Sequence, residues 1–254
     1  MQEPLHIEKA ESGIARLVLN RAKRGNSLDA ALADALAAAL EELSQDKSLR
    51  ALVLTGNGRN FCGGVDLAWM KESGGASYDE NFRDALKLAK ILHRLHTLSV
   101  PTIAAVNGPV IGMGVGFVAA CDIAIAADTA TFRFSEVRLG ILPAVISPYA
   151  ISAMGMRACQ RYMLSAETFD AAEARRLNLV QEVVPAAELT YATNRMTAEL
   201  TSGKPLALAA VKTLLSRQRV PQLDDALIED TARRLTEQRR SPEAQAALAA
   251  FLTK

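Results

Sequence analysis

Two glycine-rich segments, each placed directly after a strand-like run of apolar residues, constrain this chain more than any other feature. The first is residues 60–67 (NFCGGVDL), and the second is residues 107–116 (NGPVIGMGVG). Glycines at the end of a strand leave backbone N–H groups uncovered by side chains. Two such segments can therefore direct two N–H groups at one oxygen atom, which is the arrangement of an oxyanion hole.

Apolar runs that alternate with helical patterns predict an α/β fold with a mainly parallel sheet, because strand, helix and strand in series imply right-handed crossovers. The strand-like segments are residues 7–20 (a hairpin broken at Ser12 and Gly13), 51–55, 102–106, 123–126 and 131–134. The helical segments are residues 30–43 after an N-cap within 26–29, residues 79–97, and the second glycine segment up to Ala120. We expect a polar loop around residues 73–75.

From about Pro185 onward the pattern is helical only, with a break at residues 202–205 (SGKP). Ala, Leu, Glu and Arg dominate this part of the chain. We therefore expect a core over residues 1–190 and a helical C-terminal region over residues 191–254.

The composition is that of an ordinary globular protein and narrows the classes of partner. Of the 254 residues, 50% are apolar and 22% are charged, with a formal net charge of +1. Such a balance provides no broad field for nucleic acid or an anionic membrane, and no apolar run reaches the roughly 20 residues of a membrane span. The three cysteines, Cys62, Cys121 and Cys159, are too scattered for a disulfide framework. We expect a cytoplasmic protein.

Other classes of site fit the sequence less well. The glycines of residues 112–116 open a helix after a strand, but a dinucleotide-binding turn would need glycine at Phe117. His93 and His96 are spaced to share a metal, yet no third ligand is evident, so we expect surface positions and no metal site. Cys62 has no histidine near it in sequence, so a packed thiol is expected rather than a nucleophile.

The two glycine segments, taken with residues 135–140 (SEVRLG), resemble the enoyl-CoA hydratase/isomerase family, also called the crotonase family. The resemblance runs from about Ile7 to the C-terminus. It implies a spiral of strand-strand-helix repeats and C-terminal helices that build a homotrimer, often paired into a homohexamer. It also implies an acyl-CoA thioester substrate, with coenzyme A as part of the substrate and no separate cofactor.

The resemblance assigns three catalytic positions. The backbone amides of Val65 and Met113 match the two oxyanion donors, and Glu136 matches an acid/base glutamate. Glu136 follows a strand with aromatic residues at alternate positions, so apolar surroundings are expected to raise its pKa. Local sequence also fits an ion pair of Glu136 with Arg133 or Arg138.

The resemblance assigns substrate-binding positions as well. Lys23 and Arg24 match the segment that holds the CoA phosphates, for which cationic side chains are suitable. Asp66 also fits a plain structural acceptor. The substrate-binding residues implied, in addition to Lys23 and Arg24, are Ser27, Gly64, Asp66, Leu67, Ala68, Trp69, Ile111, Leu139 and Leu142, with Met70 as a further candidate for the acyl pocket.

Gly116 departs from the pattern, since it stands where two-glutamate hydratases place their first glutamate. Glycine can neither orient nor deprotonate water. Residues 135–149 look most like bacterial hydratases of leucine degradation that act on methylglutaconyl-CoA and commonly lack that glutamate. The resemblance thus favours reversible hydration of a short or branched enoyl-CoA. Two alternatives remain, namely double-bond isomerisation by Glu136 alone and a non-catalytic acyl-CoA-binding protein.

Overall fold

A computed structural model describes residues 3–218 and 223–252 of the chain. Within them the strands are β1 (Leu5–Lys9), β2 (Ile14–Leu19), β3 (Ala51–Gly56), β4 (Thr102–Val106), β5 (Val110–Ile111), β6 (Ile123–Ala127), β7 (Thr131–Arg133), β8 (Phe169–Asp170) and β9 (Glu182–Val184). The helices are α1 (Ala30–Gln45), α2 (Leu67–Gly75), α3 (Tyr78–Thr97), α4 (Met113–Ala120), α5 (Ser147–Met154), α6 (Met156–Ser165), α7 (Ala171–Arg176), α8 (Leu189–Ser202), α9 (Pro205–Arg217), α10 (Asp225–Arg239) and α11 (Pro242–Leu252).

The main sheet has the strand order β1-β2-β3-β4-β6-β9, and each neighbouring pair except β1 with β2 is parallel. The predicted hairpin and the mainly parallel sheet are confirmed. Strand β4 is buried along its whole length, because helices cover both faces of the sheet. Ile103 packs with Leu189 of α8 on one face, and Ala104 belongs to the larger core on the other.

A second, three-stranded sheet has the order β5-β7-β8. Strand β5 lies within the second glycine segment and pairs in parallel with β7, which places Ile111 opposite Arg133. A short 3-10 turn, Glu136–Leu139, follows β7. This sheet therefore brings the second glycine segment next to Glu136.

Helix α1 begins where the sequence predicts. Asp29 caps it by accepting a hydrogen bond from the N–H of Leu32 at 2.9 Å. The predicted polar loop at residues 73–75 is wrong, because these residues end helix α2. Asp66 caps α2 through the N–H of Ala68 at 3.0 Å, and burial of apolar residues on this helix offsets the poor helix propensity of its last residues.

The helical C-terminal region is confirmed, and its last two helices lie on the core of their own chain. Helix α10 packs along α3, and α11 contacts α2 and the turn that begins at Glu136. Gln238 donates to the carbonyl of Gly140 at 2.8 Å, and Arg240 donates to the carbonyl of Ala76 at 3.1 Å. Residues 1, 2, 253 and 254, which the expected boundaries include, lie outside the described residues. Among the described helices, none combines the length and apolarity that crossing a membrane requires.

Asn26 ties the loop before α1 to the first glycine segment. It is fully buried and has a left-handed backbone, with φ of 57°. Its side-chain oxygen accepts from the N–H of Arg21 at 2.9 Å, and its Nδ2 donates to the carbonyls of Asn57 and Asn60 at 2.9 and 2.7 Å. Three backbone groups therefore depend on one buried side chain.

We expect Asn26→Ala to lower the free energy of unfolding by about 2–4 kcal/mol, because three hydrogen bonds made by a fully buried side chain are lost. Asn178→Ala is the matched control, since Asn178 has nearly the same backbone conformation, with φ of 63°, but an exposed side chain. Urea unfolding of both variants measures the difference. Equal losses in the two variants would assign the effect to the left-handed backbone rather than to the hydrogen bonds.

Candidate active site

The first glycine segment turns the N–H of Val65 away from Leu28, the residue that pairs with it. Leu28 donates to the carbonyl of Gly64 at 2.7 Å, and Asp66 donates to the carbonyl of Leu28 at 2.7 Å. Because these two bonds face Leu28, the N–H of Val65 between them faces the opposite side. Gly64 has φ of 88°, and a Cβ atom there would lie 3.0 Å from the carbonyl oxygen of Ile111. Glycine is required at this position.

The second glycine segment meets the first on that side. Ile111 donates to the carbonyl of Cys62 at 2.9 Å, which joins the two segments. A Cβ atom at Gly64 would lie 3.8 Å from the amide nitrogen of Met113, the first residue of α4. In the described part of the chain, no backbone carbonyl accepts from Val65 or Met113. Two free N–H groups, one of them at a helix N-terminus, thus lie close together.

The carboxyl group of Glu136 lies against the same place. Its side chain is buried, and a Cβ atom at Gly112 would lie 3.1 Å from its Oε1. Gly112 also has φ of 52°, so a side chain there is excluded by both backbone conformation and contact. Within the described residues, Oε2 of Glu136 has no hydrogen-bond partner. The carboxyl group is therefore held beside the Met113 amide with one oxygen free to react.

Burial raises the pKa of Glu136 from 4.5 to about 7, while hydrogen bonds from its own N–H and that of Ser135 oppose the shift. The alternative of an ion pair is not observed: among the described residues, no salt bridge joins Glu136 to Arg133 or Arg138. Arg133 instead donates to the carbonyl of Ala166 at 3.0 Å. Near neutral pH, Glu136 can therefore exist in both protonation states, as acid/base chemistry requires.

A cavity of about 280 Å³ opens at these groups. Its wall includes most of the predicted site residues, namely Ser27, Gly64, Val65, Leu67, Met70, Ile111, Met113, Glu136, Leu139 and Leu142. Its remaining wall includes residues that the sequence pattern did not single out, among them Leu88, Ile146, Leu235, Arg239 and Phe251. Leu235, Arg239 and Phe251 come from the C-terminal helices. No local motif marks them, because only the folding of α10 and α11 onto the core brings them here.

A family model described as enoyl-CoA hydratase/isomerase matches residues 9–254. The chain belongs to the enoyl-CoA hydratase/isomerase family. A short-chain-enoyl-CoA hydratase of Clostridium acetobutylicum is 31% identical over 87% of this chain and 84% of the relative. A hydroxycinnamoyl-CoA hydratase-lyase of Pseudomonas fluorescens is 36% identical over 80% of this chain and 74% of the relative. The crystal structure of an enoyl-CoA hydratase from Shewanella pealeana has a TM-score of 0.83 at 36% identity, and the match covers 98% of this chain and 93% of that chain.

These similarities confirm the crotonase-type fold and membership in a family of enzymes, as the two glycine segments and residues 135–140 indicated.

Gly116 occupies the position at which two-glutamate hydratases of this family place their first glutamate. Gly116 is buried in α4, and a Cβ atom there would lie 2.5 Å from Cγ2 of Ile146 and 3.2 Å from Cδ1 of Leu92. Ile146, not residue 116, borders the cavity. The space for a second carboxylate is filled by an aliphatic side chain.

The predicted CoA-binding segment lies at the surface next to the cavity. Arg24, Ala68 and Trp69 border a shallow depression beside α2, and Lys23 is exposed on the preceding turn. Of the two neighbouring candidates for the acyl pocket on α2, Met70 lies on the cavity wall and Trp69 does not.

Asp66 makes structural contacts at the edge of that depression. Besides capping α2, its carboxylate lies 3.2 Å from Nη2 of Arg21, which also pairs with Asp29 at 2.7 Å. The local interpretation of Asp66 as a hydrogen-bond acceptor is thereby confirmed. Arg21 is fixed by these two carboxylates and by the carbonyl of Ser27, whereas Lys23 and Arg24 are exposed on the turn that follows.

His93, His96 and Cys62, which the sequence does not assign to the candidate site, are packed into the protein. The expected surface position of His96 is wrong: it is buried, with Nδ1 3.1 Å from the carbonyl of Ala120, because α3 is covered by α1, α4 and α10. His93 is half-buried. The described residues contain no cluster of three metal-ligating side chains. Burial raises the pKa of Cys62 to about 12, so its thiolate is not available as a nucleophile.

We expect Glu136→Gln to stabilise the protein at high pH. A carboxyl whose pKa is raised in the folded state binds more protons folded than unfolded between pH 4.5 and about 7, so stability falls as pH rises through this range. The amide has no such loss. The difference in free energy of unfolding between Glu136→Gln and wild type should grow from near zero below pH 4.5 to about 3 kcal/mol above pH 7.

Urea unfolding of both proteins from pH 4 to pH 9 measures this gap. Glu11→Gln, at an exposed glutamate, is the control for a substitution outside the cavity. A difference for Glu136→Gln that does not change with pH would mean that folding leaves the pKa of its carboxyl unchanged.

Proposed function

We propose that this enzyme is an enoyl-CoA hydratase that adds water reversibly across the double bond of a short or branched enoyl-CoA. The observation that carries the proposal is the contact between Glu136 and Gly112, which puts one carboxyl group directly beside the amide of Met113. The amides of Val65 and Met113 would bind the thioester oxygen and stabilise the enolate that forms when water adds at the β carbon. Removing one such donor typically costs about 10²–10³ in rate.

One carboxyl group can complete the proton balance. Protonated Glu136 gives its proton to the α carbon, the oxygen of water bonds to the β carbon, and a proton of that water returns to the carboxylate. No net proton is gained or lost, and both new bonds form on the face of the substrate that Glu136 meets. The closed space at Gly116 supports this one-glutamate route over one with paired carboxylates.

Within the short and branched enoyl-CoAs, we propose methylglutaconyl-CoA as a candidate substrate. The likeness of residues 135–149 to hydratases that act on it supports this choice. Lys23 and Arg24 would pair with the CoA phosphates, and Ala68, Trp69 and Asp66 would border the rest of that group. Leu139, Leu142 and Ile111 would contact the acyl chain. Coenzyme A enters as part of the substrate.

The hydratase proposal is tested by the ultraviolet absorbance of the conjugated enoyl group, which disappears on hydration. With crotonyl-CoA, wild type should consume the chromophore, and kcat/KM should fall as pH rises through about 7, because Glu136 must begin protonated. Glu136→Gln should lose about 10²–10⁴ in rate. Wild type that leaves crotonyl-CoA and methylglutaconyl-CoA unchanged would overturn the proposal.

The two alternatives give different outcomes in the same experiment. An isomerase uses Glu136 as a base first, so turnover of a non-conjugated enoyl-CoA would fall as pH drops below about 7. If the protein is a non-catalytic binding protein, its wild-type form and its Glu136→Gln variant would bind CoA esters equally well. Neither form would turn over either substrate.

We also propose that copies of this chain assemble into a trimer, or a dimer of trimers, through α9. Exposed apolar side chains lie along this helix, namely Leu206, Val211, Leu214 and Leu215, with exposed fractions of 87%, 51%, 58% and 60%. Such a patch is typical of an interface. Lys212 fixes the helix to the core through the carbonyl of Val100 and the carboxylate of Asp122, at 2.8 and 2.7 Å.

We also propose a cytoplasmic location, which the free, scattered cysteines support.

Light scattering after size-exclusion chromatography tests the assembly. Wild type should have three or six times the mass of one chain, and Val211→Asp combined with Leu214→Glu should shift it toward monomer, since charges would be buried in the interface. Leu164→Glu on α6 is the control, because Leu164 is 77% exposed and lies away from α9. A wild type that elutes as a monomer would refute the proposed interface.

A further inference from the structure

Arg239 is a buried cation on the wall of the acyl cavity. It is the last residue of α10, only 3% of its surface is exposed, and it borders the cavity together with Leu235. Within the described residues, its Nε has no hydrogen-bond partner. A buried guanidinium with an unused donor is costly unless an anion completes it. The next residue, Arg240, is different, since it donates to the carbonyl of Ala76 on the exterior.

The neighbouring carboxylate of Asp84 does not form a salt bridge with Arg239. Burial lowers the pKa of Arg239, and the negative charge of Asp84 on α3 opposes this shift, but among the described residues no salt bridge within 4.0 Å joins the two side chains. Asp84 instead accepts a hydrogen bond from Ser73 at 2.9 Å. A narrow void lies between these side chains and Met70. Asp84 is therefore near Arg239 without occupying its Nε, which stays available.

Arg239 and the reacting groups belong to different elements of the fold. It enters the cavity from α10, whereas Glu136 and the two amides come from the turn after β7 and from the glycine segments. Other cavity-lining residues are aliphatic, including Leu88, Ile141, Val145 and Ile146. The two other arginines on the wall, Arg133 and Arg138, flank Glu136 in sequence. Arg239 is thus a buried cation on the part of the cavity wall that α10 contributes.

We propose that Arg239 binds a carboxylate at the far end of the acyl group, so that the preferred substrates are CoA monothioesters of unsaturated dicarboxylic acids. This rests on the proposed hydratase function, and it assigns the substrate class and the residue that selects it. A guanidinium can donate two parallel hydrogen bonds to a carboxylate, which fixes the chain as well as attracting it. Methylglutaconyl-CoA belongs to this class.

The experiment compares substrates that differ by one carboxylate. Glutaconyl-CoA is crotonyl-CoA with a carboxylate in place of a methyl hydrogen, and wild type should hydrate it with kcat/KM about 10- to 100-fold higher. Arg239→Met should remove that preference, because the rate on glutaconyl-CoA should fall by about 10- to 100-fold more than the rate on crotonyl-CoA. Arg240→Met is the matched control and should keep the preference.

A purely structural role of Arg239 would give a different result, since both substrates would lose rate to the same degree in Arg239→Met.

Binding of two saturated esters to wild type separates this inference from the hydratase proposal. Glutaryl-CoA should bind at least about 10-fold more tightly than butyryl-CoA whether or not any substrate is hydrated. Equal binding of the two esters by wild type would overturn the inference, even if the variant fails to fold.

Discussion

The hydrogen bond from Ile111 to the carbonyl of Cys62, at 2.9 Å, is the contact on which the rest of the site depends. It joins two segments that leave neighbouring parallel strands, β3 and β4, at the same edge of the sheet. The amides of Val65 and Met113 face one cavity only because these segments touch. Gly64 and Gly112 make the contact possible, since a side chain at either position would strike Ile111 or Glu136.

The same close packing determines which chemistry is available. The Glu136 carboxyl group is removed from water where it lies against Gly112, and this burial brings its pKa to about 7. A few residues along α4, Gly116 is in contact with Ile146, which leaves no room for a second carboxylate. Backbone packing therefore provides one acid of tuned pKa and two backbone donors. In the proposed hydration, Glu136 therefore both supplies a proton and receives one back.

Features set by local sequence could be predicted, and features set by distant packing could not. The cap at Asp29, the parallel strands and the two glycine segments all have short-range signals, and they were found where expected. Helix α2 was missed because its last residues read as a loop, while its stability comes from buried contacts. His96 was misjudged because α1, α4 and α10 cover α3. Arg239 was missed because α10, which brings it to the cavity, lies more than a hundred residues along the chain from either glycine segment.

The parts of the site also differ in how freely they can change. The amide donors are backbone groups held by glycines, so almost any alteration there disturbs the contact between the segments. Leu235 and Arg239 act through side chains on α10, a helix that contributes no donor to the oxyanion site and contacts the core from outside. If Arg239 selects the acyl group as proposed, substitutions on this face would alter which acyl group is accepted and leave the glycine segments unchanged. That part of substrate choice would then be encoded on a different element from the backbone donors.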